Sequence, residues 1–163
     1  MALTALDYFK PLRNLGGGCI PTFEVVKASA TTWDKGNVIV GTTGLAVAAT
    51  DEPAVETVLG VALEAAVDGS TRALIAPALP NVTFWGRVAT GDAAATSDSA
   101  VANRYLSGTG AGFEISYGTY VHYINQGETT EAQVMIINLI DDAATAWGAV
   151  EFVFTCSAFN AVT

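Results

Sequence analysis

The C-terminal half of this chain is a series of short alternating apolar segments, and that pattern restricts it to β-structure. Between Phe113 and Phe154 the segments cover 120–124, 132–140 and 147–154, and Gly, Asn, Asp and Thr dominate the turns between them. Apolar residues that alternate with a period of two fall on one face of a strand, whereas a helix requires a period near 3.6. The pattern therefore predicts short strands separated by turns.

The first half has the same rhythm. Candidate strands lie at 20–28, 37–40, 45–49, 57–65, 71–76 and 81–89, with turn signals such as Asp68-Gly69-Ser70 between them. Short strands that recur about every 8 to 12 residues are typical of sandwiches and barrels. We therefore predict an all-β fold with a single β-sandwich or small β-barrel domain, either jelly-roll-like or β-tulip-like. The stretch 91–112 is predicted to be a long loop with one helical turn near 98–105, and loops of this length in a compact domain are usually functional or contact a partner.

The first nineteen residues differ from the rest. They mix aromatic, basic and apolar residues without a strand period, and they end in Gly16-Gly17-Gly18, a composition typical of a flexible hinge. We therefore divide the chain into an extended N-terminal arm at 1–19 and a β-domain at 20–163, and we predict that the arm reaches a neighbouring chain. Its candidate partner-binding residues are Leu6, Tyr8, Phe9 and Leu12 as apolar anchors, and Lys10 and Arg13 as cations that meet an acidic surface.

The composition indicates an assembly. Hydrophobic residues make up 51% of the 163 residues and charged residues only 14%, compared with a usual charged share of about 25%. No apolar run approaches the ~20 residues that span a bilayer, so we expect no membrane partner. The start of the chain lacks a basic segment followed by an apolar one, which predicts synthesis in the cytoplasm, although a processed mature chain would look the same. Apolar surface in excess is most simply covered by other chains.

The charge balance argues against direct binding of nucleic acid. The formal net charge is −9, and the seven cations are scattered along the sequence, whereas phosphate binding needs a basic patch. The two cysteines, Cys19 and Cys156, are predicted to be free, although the sequence leaves a bridge between them open.

Candidate chemistry is sparse. His122 is the one histidine and lies within an aromatic strand, and no Gly-x-Ser-x-Gly motif presents a nucleophile. The acidic loops at 51–56 and 141–142 do not match a calcium-binding loop. We therefore predict no catalytic residue, no cofactor and no metal site. Trp33, Trp85 and Trp147 are predicted to anchor a core or an interface, and the alternative is that they stack on sugars.

The turns and strands resemble those of the small decoration (cement) proteins of tailed bacteriophage heads. The matching segments are 31–40, 44–48, 58–64 and 68–70 in the first half, and 128–130, 134–141 and 147–154 in the second. The resemblance implies a virion protein on the outer capsid surface. Such a protein binds the expanded head, commonly as a homotrimer, and clamps adjacent major capsid proteins against internal DNA pressure without a cofactor.

Other functions stay open beside that resemblance. A carbohydrate-binding or adhesin-type β module would use exposed tryptophans and acidic loops. A tail-tube or head–tail connector subunit would form rings or tubes, and an enzyme has the least support. The exposure of the three tryptophans separates the first of these from the clamp, which needs them in a core or an interface.

Overall fold

The computed structural model describes residues 8–90, 93–94, 112–118, 121–125, 127, 133–141, 147–155 and 157–159. These residues form an all-β fold whose helical structure is a single 3-10 turn at Val55–Thr57. The strands of the first half are β1 (Lys10–Asn14), β2 (Phe23–Val26), β3 (Val38–Thr42), β4 (Leu45–Ala48), β5 (Val58–Ala62), β6 (Arg72–Pro77) and β7 (Val82–Thr90). Those of the second half are β8 (Ala93–Ala94), β9 (Glu114–Tyr117), β10 (His122–Asn125), β11 (Val134–Leu139) and β12 (Ala149–Phe154). The predicted fold class is confirmed.

The strands form two sheets. One has the order β2-β6-β5-β3-β4, and the other has the order β11-β12-β7-β10-β9, with β1 and β8 also paired to β7. The long strand β7 organises the second sheet, because β1 and β12 pair antiparallel with its first half on opposite sides. Strand β10 pairs with the second half of β7 in parallel. The N-terminal and C-terminal strands thus meet on β7.

Both sheets curl until their edges meet. In the five-stranded sheet the isolated bridge Lys27–Ala46 joins the end of β2 to β4, and in the other sheet Phe113–Val134 joins the start of β9 to β11. Sheets twist with a fixed hand, and closing an edge removes unpaired backbone groups from solvent. The structure is therefore a sandwich of two sheets, each curled almost into a barrel.

The core has two main layers. Between the sheets, Val38, Val61 and Ala76 pack with Phe84 and Phe152 in one large cluster. On the opposite face of the five-stranded sheet, inside its curl, a second cluster contains the side chains Trp33, Ile39, Ala46, Ala62, Ala66, Ala73 and Ile75. Alanine dominates the second cluster because the interior of a small barrel is narrow.

The described part of the predicted arm belongs to the domain. Residues 10–14 form β1, and Phe9 is 1% exposed within the main cluster. The predicted glycine hinge is a hydrogen-bonded turn: the Leu15 amide donates to the Asn81 carbonyl at 2.7 Å, and the Gly17 amide donates to the Asn14 carbonyl at 3.0 Å. These bonds hold the turn in place. Residues 8–19 are therefore part of the β-domain, and the predicted boundary at residue 19 does not divide an arm from it. Residues 1–7 lie outside the described residues.

The predicted loop at 91–112 is described only in part. Ala93 and Ala94 pair with the end of β7, so the loop begins as a short hairpin. The remaining positions 91–92 and 95–111 lie outside the described residues, as does Cys156. Cys19 is exposed and free.

Candidate functional site

The N-terminal segment is held at two points where glycine leaves room for an aromatic ring. The ring of Phe9 lies 4.9 Å from that of Phe152, and a Cβ placed on Gly86 would stand 2.7 Å from the Phe9 ring. Tyr8 covers Gly36 in the same way, since a Cβ there would stand 2.4 Å from Tyr8. Packing against bare backbone fixes the position of both rings.

Beside this segment, cations and aromatic rings alternate on one surface. We call it the basic face, and it consists of Tyr8, Lys10, Arg13, Lys35, Trp85 and Arg87. The Lys10 ammonium lies 4.7 Å from the centre of the Tyr8 ring and 4.6 Å from that of Trp85. Lys35 approaches Tyr8 from 5.8 Å, and the Arg87 guanidinium lies 5.0 Å from Trp85. Cation–π attraction restrains these long side chains.

The basic face collects four of the seven cations that appear scattered in the sequence. Arg13 is bidentate to Glu151, with distances of 2.6 and 2.8 Å, and Arg87 pairs with Asp141 at 2.9 Å. Across the described part of the chain, no ion pair involves Lys10 or Lys35. The face therefore presents two uncompensated positive charges on a protein whose net charge is −9.

Glu151 anchors the centre of this surface. Burial raises the pKa of its carboxyl, but hydrogen bonds from Arg13, Thr83 and Asn138 and the charge of Arg13 outweigh burial and lower the pKa overall. The carboxylate lies in β12, opposite Trp85 in β7. A buried carboxylate with several donors is a rigid support, and it fixes Arg13 on the exposed edge of β1.

The Arg13–Glu151 pair gives a testable contrast with a surface pair. Arg13→Ala leaves Glu151 buried without its main counter-charge, so we expect a clear drop in the thermal midpoint at pH 7. Arg72→Ala breaks an exposed pair with Glu24 and is expected to change the midpoint little. As pH falls through the range where Glu151 titrates, wild type should lose stability that Arg13→Ala has already lost. Equal midpoints for the two variants would contradict this assignment.

Two exposed leucines lie in or directly after β1, the strand that carries Lys10 and Arg13. Leu12 is 44% exposed and Leu15 is 52% exposed. Leu12 lies at a shift in register between Pro11 and Arg13, so the strand bulges there. A bulge re-aims a side chain at a sheet edge. The surface thus combines positive charge with two exposed leucines.

The structure brings together most of the predicted partner-binding residues and removes one of them. Tyr8, Lys10 and Arg13 lie in the basic face, and Leu12 lies at its margin. Phe9 was predicted as an anchor for a neighbour, but it is buried in the core of its own domain, so this assignment is corrected. Leu6 lies outside the described residues. Sequence reasoning identified Trp85 only as an anchor of a core or an interface and missed Lys35 and Arg87, although the alternation in Trp85-Gly86-Arg87 places Trp85 and Arg87 on one face of β7.

A second concave site lies at the end of the five-stranded sheet. It is a cleft of about 530 Å³. We call it the acidic cleft and define it by Trp33, Asp34, Asp51, Asp68 and Tyr117, which line it together with small apolar residues. Trp33 is fixed by a backbone bridge to Ala66, and the Asp51 carboxylate accepts a hydrogen bond from the Tyr117 amide at 2.9 Å.

His122 lies behind the cleft and is fully buried. Its ring centre is 4.8 Å from that of Tyr117, and its Nδ1 accepts a hydrogen bond from the Val38 amide at 3.2 Å. Burial lowers the pKa of His122 to about 4, although the Ala49 backbone and the charge of Asp51 oppose this shift. Protonation of His122 would also place a proton on Nδ1, and this proton would face the N–H of the Val38 amide. His122 is therefore a neutral packed residue of the strand, as the sequence indicated.

The low pKa of His122 predicts a loss of stability on acidification. As pH falls below about 6.5, the unfolded chain binds a proton on this histidine before the folded chain does. Stability that is complete above that pH should therefore fall toward pH 4, by about 3 kcal/mol in total. Urea denaturation of wild type and His122→Asn across this range measures the effect, because carboxylate titration is common to both. Parallel curves for the two proteins would show that His122 does not contribute.

The tryptophans do not form an exposed stacking platform. Trp33 and Trp147 are each 4% exposed, and Trp85 is half-buried between Lys10 and Arg87.

Among the described residues, no group of three or more His, Cys, Asp or Glu side chains could hold a metal ion. A search of the same residues finds no helix with the length and apolar character needed to cross a membrane.

No protein-family model matches this chain, and no curated protein matches it.

Proposed function

We propose that this chain is a structural virion protein that binds the outer surface of an expanded phage head and clamps adjacent major capsid proteins. The observation that carries the proposal is the basic face, in which two lysines with no ion-pair partner among the described residues approach the Tyr8 ring, and the exposed Leu12 lies in the same strand as one of them. Such a surface is complementary to an acidic surface with apolar contacts, and polar rims around apolar anchors are usual at protein interfaces. The resemblance of the turns and strands to decoration proteins supplies the identity of the partner.

The fold suits a mechanical role. Tyr8 and Phe9 lock the N-terminal segment onto the sheet, and β1 shares β7 with β12. A force applied at β1 is therefore carried by backbone hydrogen bonds and core packing rather than by a loose tail. Assembly as a homotrimer would let several weak contacts act together at one position on the shell. Clamping of this kind requires neither turnover nor a cofactor.

The carbohydrate-binding alternative has less support. It relied on exposed tryptophans, yet Trp33 and Trp147 are buried and Trp85 is covered by cations. The acidic cleft is the remaining surface where a sugar could bind, and the experiment on that cleft given below includes this outcome.

The proposal is tested by sedimenting the purified chain with expanded heads that lack it. We expect saturable binding that weakens as salt rises, and heads that survive heating longer when decorated. Lys10→Glu/Lys35→Glu should bind at least about tenfold more weakly than wild type, because it reverses both free charges of the basic face. Arg72→Glu is the control on another surface and should bind like wild type. Absence of saturable binding by the wild-type chain would refute the proposal.

A further inference from the structure

We infer that the acidic cleft binds a basic side chain, preferably arginine, presented by a peptide segment of the partner. This inference rests on the proposed function for the identity of the partner, the capsid protein. The juxtaposition that carries it is a set of three carboxylates beside an exposed tyrosine ring at the mouth of an apolar-walled cleft. The basic face and the acidic cleft would then contact opposite charges on the shell.

The negative charge of the cleft favours a cationic ligand. Asp34, Asp51 and Asp68 line it and are all exposed, and no Lys, Arg or His is found among the described residues that line it. An anionic ligand would be repelled, and a cationic one would also be attracted by the net charge of −9. A metal ion is disfavoured because these acids do not form a metal-holding group in the described part of the chain.

The shape and lining favour a long side chain with a charged end. The walls between the acids carry Ala48, Ala49, Ala65, Ala66 and Val67. These methyl groups suit the aliphatic stem of arginine or lysine, which is commonly buried while its charged head reaches polar groups. A volume of about 530 Å³ accommodates one such side chain together with its backbone.

Two aromatic residues make arginine the better ligand. Tyr117 is 41% exposed at the cleft, and a guanidinium stacks on such a ring while it pairs bidentately with a carboxylate. Trp33 also lines the cleft and gives it a second aromatic wall, and its indole N–H is buried with no acceptor among the described residues.

The acids are available for this role. Asp51 is partly engaged, because it accepts a hydrogen bond from the Tyr117 amide and so orients the end of β9 that carries the ring. Asp34 and Asp68 make no side-chain ion pair in the described part of the chain. A carboxylate without a counter-charge is prepared to pair with an incoming guanidinium, and little has to be broken when it does.

The probe is the blocked tripeptide acetyl-Ala-Arg-Ala-amide, and its control contains citrulline, the neutral analogue of arginine. Binding is followed in NMR titrations of the full chain. The signals observed are the backbone amide signals of tyrosine and tryptophan and the indole N–H signals of tryptophan. We expect saturable shifts at Tyr117 and Trp33, with the citrulline peptide about tenfold weaker. Asp34→Asn/Asp68→Asn should weaken arginine binding by about the same factor. Glu56→Gln/Glu64→Gln removes two exposed charges outside the cleft and should leave the affinity within about twofold.

Three results would overturn the inference: equal binding of the arginine and citrulline peptides, no saturable shift at Tyr117, or saturable binding of a neutral glucan oligosaccharide in the cleft without binding of the arginine peptide. Sedimentation with heads separates this inference from the proposed function. If wild type and Asp34→Asn/Asp68→Asn bind heads equally, the cleft assignment fails and the clamp stands. If wild type does not bind heads at all, the clamp fails whatever the peptide does.

Discussion

Phe9→Ala is expected to destabilise the folded chain by about 3 to 5 kcal/mol, although the residue lies in what reads as a free arm. The Phe9 ring is 1% exposed, and it packs against Phe152 and above Gly86. Its removal leaves a cavity on the core side of β7 and β12, beside Gly86 and Phe152, that the surrounding side chains can fill only in part. Urea denaturation followed by tryptophan fluorescence and far-UV circular dichroism measures the loss.

Leu12→Ala is the matched control for this prediction. Leu12 lies in the same segment but is 44% exposed, so its truncation should cost less than about 0.5 kcal/mol. A loss for Phe9→Ala as small as that for Leu12→Ala would show that the N-terminal segment does not pack on the domain in solution. The basic face would then lose its support, because Tyr8, Lys10 and Arg13 depend on the same segment.

Gly60→Ala is the second change with a large expected effect. A Cβ at this position in β5 would lie 2.1 Å from the carbonyl oxygen of Ala76 and 2.9 Å from the Pro77 Cα, both of them backbone atoms of β6. Backbone cannot rotate away as a side chain can, so β5 and β6 would have to separate. We expect a loss of roughly 3 kcal/mol, which thermal and urea unfolding would both report.

Gly41→Ala provides the comparison for Gly60→Ala within the same sheet. A Cβ on Gly41 would meet only the Leu59 side chain, at 3.7 Å, which is an ordinary contact. This change should be neutral or should stabilise by up to about 1 kcal/mol, because alanine reduces the freedom of the unfolded chain. If both variants were equally stable, the close approach of β5 to β6 would not exist in solution.

The strands could be predicted because their signal is local. Turn residues such as Asp68-Gly69-Ser70 and Pro80 bound the apolar stretches 71–76 and 81–89, and they locate β6 and β7 to within about two residues. The pairing of the strands could not be predicted from these patterns. The joining of sheet edges at Lys27–Ala46 and Phe113–Val134 depends on residues far apart in sequence, and no local pattern encodes it.

The N-terminal segment was misread for a physical reason. Pro11 and the bulge at Leu12 interrupt the alternation of β1, so the segment shows no strand period. The basic face could not be predicted because its residues are distant in sequence. They come from β1, from β7 and from a turn that contains Lys35. The acids of the cleft, such as Asp51 and Asp68, looked like ordinary turn residues. They surround one cavity only in the folded chain, where Tyr117 at the end of β9 in the other sheet reaches Asp51.

Electron cryomicroscopy of decorated heads tests the central claim most directly, namely that the basic face attaches this chain to the shell. Heads that lack the protein are saturated with it, and the added density is compared with that of undecorated heads. We predict density for a two-sheet β-domain on the outer surface, with β1, Lys10 and Lys35 turned toward the major capsid protein. Saturated heads without added density, or a domain attached with its basic face turned to solvent, would contradict the account.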